Sequence, residues 1–149
     1  MATTVVLLDA DTVAGWRRVA PSLAQLHRAA DDLRAAHPAV TVAVVADPAI
    51  KWNLPDEEQD DFERDIVSRA VVCAPAGTKQ GTHAWVAAVA ARARANGDRV
   101  LVVTDRAVGG VPVVRLSREG DTFRFDLEGA REVTARPAPA GRRRRTGRN

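Results

Sequence analysis

Residues 5–13 read VVLLDADTV and residues 99–105 read RVLVVTD. Each is a short run of Val and Leu that ends abruptly in polar residues. Such runs suit strands buried on both faces of a parallel sheet. Two carboxylates, Asp9 and Asp11, leave the first run, and Thr104 and Asp105 leave the second. In an open α/β sheet, ligands bind outside the carboxyl ends of the strands. These two stretches therefore raise fold and site together.

Working outward, VTVAVVA (40–46) reads as a further strand ending in Asp47, and AVVC (70–73) as another. Helical segments lie between them. Pro21 opens one in which Leu23, Leu26, Ala30 and Leu33 recur at helical spacing, and His37-Pro38 closes it. In DEEQDDFERDIVSRA, Phe62, Ile66 and Ala70 share a face, and acids crowd the first turn, where the helix dipole favours them. The acidic run Asp56–Asp65 reads mainly as a solvated helix face. THAWVAAVAARARA (82–95) is Ala-rich and stops at Asn96-Gly97, and Trp85 on it reads as core. DPAIKWNLP and APAGTKQG read as loops. VPVVRL and TFRFDL, separated by SREGD, predict a β-hairpin over 111–127. Strands alternating with helices over short connections predict an α/β, three-layer, Rossmann-like parallel sheet with helices on both faces. The C-terminal β-hairpin would extend it.

Composition narrows the setting. A chain of 149 residues, 46% of them hydrophobic, supports one domain with a real core. No apolar run approaches the ~20 residues of a membrane span, and MATT has no basic signal-peptide start. One cysteine, Cys73, excludes an internal disulfide and reads as a core residue. With three scattered histidines it also excludes a Cys/His zinc framework. A cytoplasmic location is the expectation, and the Arg- and Ala-rich usage suits a high-GC bacterial genome. The formal charge of +3 is uneven: six arginines and no acid follow residue 135, leaving residues 1–135 net acidic. The expected division is an α/β domain over 1–135 and a disordered arginine-rich tail over 136–149.

The chemistry is read from strand ends. Asp9, Asp11, Asp47 and Asp105 all follow strands whose carboxyl ends share one sheet edge. Clustered carboxylates repel unless a cation lies among them, and Mg²⁺ or Mn²⁺ takes oxygen ligands and suits phosphate chemistry. The plainer alternative is that each Asp caps a following helix. Lys51 beside Trp52 could hold a phosphate and stack a base, or Trp52 could be an ordinary loop aromatic. His83, at a helix start, could be a base, a ligand or a plain polar residue. Arg142, Arg143, Arg144 and Arg145 form a cluster suited to phosphates without sequence preference.

With these motifs in order, residues 4 to about 108 resemble the PIN-like ribonuclease superfamily, most closely its NYN and regnase-type branch. Asp9-Ala10-Asp11-Thr12 stands where that branch carries a D-G-x-N motif at the end of its first strand. Lys51 and Trp52 fall in the basic, Trp-containing loop after the second strand, and Thr104-Asp105 at the end of the last. The resemblance implies a metal-dependent endoribonuclease. Asp9 and Asp105 would be ligands of Mg²⁺ or Mn²⁺, with Asp11 or Asp47 assisting, Thr12 would replace the Asn, and Glu58 would be a lesser acidic match. It implies RNA as the partner nucleic acid, and homodimers are frequent among related domains. The chain departs from the pattern at Thr82 and His83, which stand where carboxylates are expected, and at Ala10, which replaces Gly. A catalytically degenerate module that binds nucleic acid or protein is therefore the alternative. DADTV also fits the DxDx[TV] start of haloacid-dehalogenase-type phosphatases. That reading needs a later Lys, and none follows Asp105. A phospho-receiver domain fails for the same lack.

Overall fold

The computed structural model describes residues 3–74 and 81–132. The chain is α/β. Its elements run β1 (Thr4–Asp9), α1 (Ala10–Ala14), α2 (Leu23–Ala36), β2 (Thr41–Ala46), a 3-10 turn (Pro48–Asn53), α3 (Asp56–Val67), β3 (Val71–Cys73), α4 (Gly81–Ala95), β4 (Arg99–Val103), β5 (Pro112–Glu119) and β6 (Thr122–Glu132). The arginine cluster 142–145, and with it the proposed tail and the boundary at 135, lies outside the described residues.

One six-stranded sheet has the order β3-β2-β1-β4-β5-β6. β1 pairs parallel with β2 and with β4, and β2 with β3. The period-two alternation of each apolar run divides its side chains between two layers. Val6 and Leu8 of β1 pack with Leu26, Leu33 and Phe62 of α2 and α3. Leu7 packs with Val86 and Ala90 of α4. The sheet is covered on both faces, which is why its central strands carry almost no polar residue.

The path from β1 to β2 to β3 runs over one face, and the path from β3 back to β4 over the other. The order thus reverses between β1 and β4. Adjacent loops diverge at such a switch point and leave a crevice at the carboxyl ends.

Beyond β4 the sheet changes character. The connection Thr104–Val111 is too short for a helical crossover, and the register of β5 with β4 holds the single pair Val102–Val113. The rest of β5 pairs antiparallel with β6. Near their open end the ladder slips: Val113 faces Arg131, whereas Arg115 faces Asp126. Extra residues on one strand bend it and increase its twist. The pair reaches over to the α1 and α2 layer, where Phe123 donates its N–H to Asp32 at 2.8 Å and meets the Trp16 ring edge-on at 5.7 Å.

Several expectations shift. The residues after β1 form a one-turn helix, α1, and DPAIKWNLP contains the 3-10 turn. α2 begins at Leu23, capped by the Ser22 hydroxyl on Gln25 N–H at 3.1 Å, so Pro21 precedes the cap rather than opening the helix. Cys73 is half-buried on the sheet edge rather than fully in the core. Burial and the nearby Asp47 charge push its thiol pKa up. Trp85 is half-buried, with its indole N–H on Val72 O at 3.2 Å.

Candidate functional site

Among the described residues, the buried polar and charged side chains are Asp9 (3% exposed), Asp47 (9%), Thr82 (3%) and Thr104 (7%). All four lie at the carboxyl edge of the sheet, three following strands β1, β2 and β4, and Thr82 at the start of α4. A buried polar group costs stability unless it is bonded, so their gathering at one edge sets that edge apart from the rest of the core.

Their bonds form two pairs, Asp9 with Thr104 and Asp47 with Thr82. Asp9 ends β1 and caps α1: Oδ1 accepts from the N–H groups of Asp11 at 3.1 Å and Thr12 at 3.4 Å. Its Oδ2 accepts from the Thr104 hydroxyl at 2.8 Å, which ties the end of β1 to the end of β4. The Thr12 hydroxyl accepts from the Asp105 N–H at 3.3 Å and holds that loop in place. Asp47 caps the 3-10 turn through Ala49 N–H at 2.8 Å, and donates its own N–H to the Thr82 hydroxyl at 3.1 Å. Asp9–Thr104 and Thr12–Asp105 thus tie the end of β1 and α1 to the end of β4 across the switch point, while Asp47–Thr82 ties the end of β2 to the start of α4.

Asp11 is the group most affected by this crowd. Its carboxyl titrates above its ordinary value. Although the residue is exposed, partial withdrawal of its carboxyl from water is the largest cause, a hydrogen bond with Thr82 opposes it, and the charges of Asp9, Asp47 and Asp105 push it further up. Asp105 is exposed, and the nearest cation recorded for it is the equally exposed Arg106, Nε to Oδ1 at 3.8 Å.

A cleft of about 320 Å³ opens here, lined by Asp9, Asp11, Thr12, Thr82, His83, Asp105 and Arg106. The structure thus brings Asp9, Asp11, Asp105 and His83 together, with Asp47 just behind through Thr82. The Nδ1 atom of His83 is buried without a hydrogen-bond partner among the described residues.

Lys51 and Trp52 stand apart from that lining. Both lie on the 3-10 turn after β2. Trp52 is 72% exposed, with the Lys51 ammonium 4.7 Å from its ring centre, and Lys51 is ion-paired with Glu63 of α3 at 2.8 Å. Glu58 lies elsewhere as well: its two oxygens accept from the N–H groups of Leu23 and Ala24, each at 2.9 Å, so it caps α2 from outside.

Could a divalent ion be held in the cleft? The donors are hard oxygens, carboxylates and hydroxyls, which is the right class for Mg²⁺ or Mn²⁺. Among the described residues, however, no three His, Cys, Asp or Glu side chains are grouped so as to enclose a metal by themselves. The donor set fits an ion bound by one or two carboxylates that keeps several waters, a usual arrangement for Mg²⁺ at phosphate sites.

Sequence reasoning overlooked Thr104 and Thr82 as members of the bonded set. A hydroxyl directly after an apolar strand was a visible signal for Thr104. Thr82 was marked only as standing where the resemblance expects a carboxylate; its bond to the Asp47 N–H was not legible, because that partner lies 35 residues away in the chain. Among the described residues, no helix is long and apolar enough to cross a membrane. No protein family, curated protein or solved structure matches the chain.

Proposed function

We propose that the chain is a PIN-like, divalent-cation-dependent ribonuclease that cleaves RNA phosphodiesters in the cleft between the ends of β1 and β4. The supporting observation is the gathering of the buried polar side chains at that one edge, beside a carboxyl, Asp11, that partial withdrawal from water, and to a lesser extent the charges of Asp9, Asp47 and Asp105, hold above its ordinary pKa. Perturbed carboxyls in a cleft are a physical pointer to chemistry.

In this reading Asp11 and Asp105 offer free oxygens to Mg²⁺ or Mn²⁺, with Asp9 as the rigid back of the site. The cation would supply neutralisation of phosphate charge and a more acidic bound water. Asp9 fixes the first turn of α1 and, through Thr104, the distance between the two strand ends. Thr12 fixes the backbone of Asp105. His83 forms the wall nearest α4, where an imidazole can accept and return a proton. Trp52 and the arginines at 142–145 would engage the RNA beyond the cleft by stacking and by phosphate contact.

A second reading has its own support. Both Asp9 oxygens are already used by the fold, and α4 presents Thr82 and His83 rather than carboxylates. Those features favour a catalytically degenerate PIN-like module that binds nucleic acid or protein.

The test is cleavage of a mixed pool of structured and single-stranded RNA in Mn²⁺, in Mg²⁺ and in EDTA, by the wild type, Asp9→Asn and Asp105→Asn. The proposal expects cation-dependent cleavage that both substitutions abolish. Absent cleavage with retained RNA would select the binding module. Cleavage untouched by either substitution would remove the cleft from the account.

A further inference from the structure

A second cavity, of about 480 Å³, adjoins the acidic cleft and shares Thr12 and Asp105 with it. It lies where the β5–β6 pair leaves the sheet. Trp16, Val103, Val114 and Leu116 contribute an apolar lining, and Arg115 and Arg131 join them. Its size falls within the range of small-ligand pockets, ~300–1,000 Å³.

The cavity owes its form to the slip in the ladder. Residues 127–130 of β6 stand against Val114 alone on β5, between the pairs Val113–Arg131 and Arg115–Asp126. The Asp126 carboxylate accepts from the Gly129 N–H at 2.9 Å and secures the bulge. A Cβ on Gly129 would run into that carboxylate, which would have to swing aside and give up this bond. Bulges beside sites often re-aim side chains. Here the slip leaves Arg115 and Arg131 lining the same cavity. Both are exposed, and neither has an ion pair or side-chain hydrogen bond among the described residues.

Charge indicates what could bind. A phosphodiester strand entering the acidic cleft carries one negative charge per phosphate past Asp105. Arginines directly beside the carboxylates would offset that repulsion, because a guanidinium binds phosphate through paired, charge-assisted hydrogen bonds. An apolar lining with a half-buried indole suits the flat, sequence-tolerant face of a base.

We infer that this cavity is a nucleotide subsite: it takes the base of the nucleotide next to the cleaved bond, and Arg115 and Arg131 hold that nucleotide's phosphate. The inference rests on the ribonuclease reading for its place in the reaction, but its binding chemistry can be tested separately.

The test titrates the full chain in EDTA with adenosine 5′-monophosphate, uridine 5′-monophosphate, adenosine and inorganic phosphate, followed by amide and indole NMR shifts. The nucleotides should shift Trp16, Val114 and Gly129. They should bind at least about tenfold more tightly than phosphate or adenosine alone, and Arg115→Ala/Arg131→Ala should weaken them about tenfold or more. Mapping the shifts on the wild type guards against a variant that folds poorly. Nucleotide shifts located elsewhere, affinity unchanged in the double variant, or phosphate binding as well as nucleotide would each overturn the subsite. RNA cleavage with no nucleotide in the cavity would overturn the subsite alone. Nucleotide bound in the cavity without any cleavage would support the subsite and remove the ribonuclease reading.

Discussion

The molecule carries two acidic regions that treat the same side chain in opposite ways. On α3 most of the acids find partners within the fold. Glu58 caps α2, Glu63 pairs with Lys51, Asp61 with Arg64, and Asp65 with His27. At the β1/β4 edge, Asp9, Asp11, Asp47 and Asp105 are held by backbone N–H groups, threonine hydroxyls and one exposed arginine, Arg106, which pairs with Asp105 at 3.8 Å. Four of the seven acids on α3 are thus engaged, three of them with basic side chains, while Asp56, Glu57 and Asp60 have no partner among the described residues. The cleft keeps its negative charge, and Asp11 registers the cost. A count of carboxylates in the sequence weighs these regions alike; their partners separate them.

The largest expected difference between the regions is in stability. Asp9→Ala removes a helix cap and leaves the buried Thr104 hydroxyl without its acceptor, a combined loss of about 2–4 kcal/mol. Urea unfolding measures it. Glu58→Ala removes a cap at the helix surface and should cost about 1 kcal/mol. Equal losses would break the contrast between a buried, shared carboxylate and a peripheral one.

Divalent cations give the next contrast. Mn²⁺ or Mg²⁺ should raise the melting temperature at neutral pH, and EDTA should reverse the rise. Asp11→Asn/Asp105→Asn should remove the response, and Glu63→Gln should keep it. A thermal melt series decides between them. A response that survives the double substitution would place the ion outside the cleft.

The pH dependence has a definite sign. Asp11 titrates higher in the folded chain than in the unfolded one, so ionising it costs folding energy. That cost is absent below the ordinary carboxylate pKa and grows as pH rises through the folded value. Asp11→Asn should therefore gain stability relative to the wild type from acid to neutral pH, and Mn²⁺ should shrink the gain. The smallest effects belong to α3. Glu63→Gln and Asp61→Asn break exposed ion pairs and should each cost under ~1 kcal/mol in denaturant unfolding.

The parts legible in the sequence were those with local causes. VVLLD and VLVVTD announced β1 and β4 because a doubly covered strand can hold little but apolar residues. Their aspartates were legible as an acidic edge because parallel strands align their carboxyl ends. α1 escaped notice because five residues hold too little periodicity to read, although Asp9 was its cap. The role of Ser22 as the cap of α2 was visible in Ser22-x-x-Gln25 and was masked by the neighbouring Pro21. Glu58 read as a lesser acidic match to the site, and its capping role was not legible because the amides it caps lie 34 and 35 residues away. Arg115 looked like a polar position of an ordinary strand, and Arg131 fell beyond the expected hairpin, which stopped at 127 where β6 runs on to Glu132. Only the slip around Val114 makes them neighbours of one cavity, and a ladder slip leaves no period in the sequence.

The central claim is that the cleft, and not α3, is where the chain receives a cation. Paramagnetic line broadening by substoichiometric Mn²⁺ tests it most directly, residue by residue, in the full chain. The amides of Asp11, Thr12, Thr82, His83 and Asp105 should broaden first, while those of Asp56–Val67 remain sharp. Broadening that begins on α3, or spreads evenly over both acidic regions, would contradict the account.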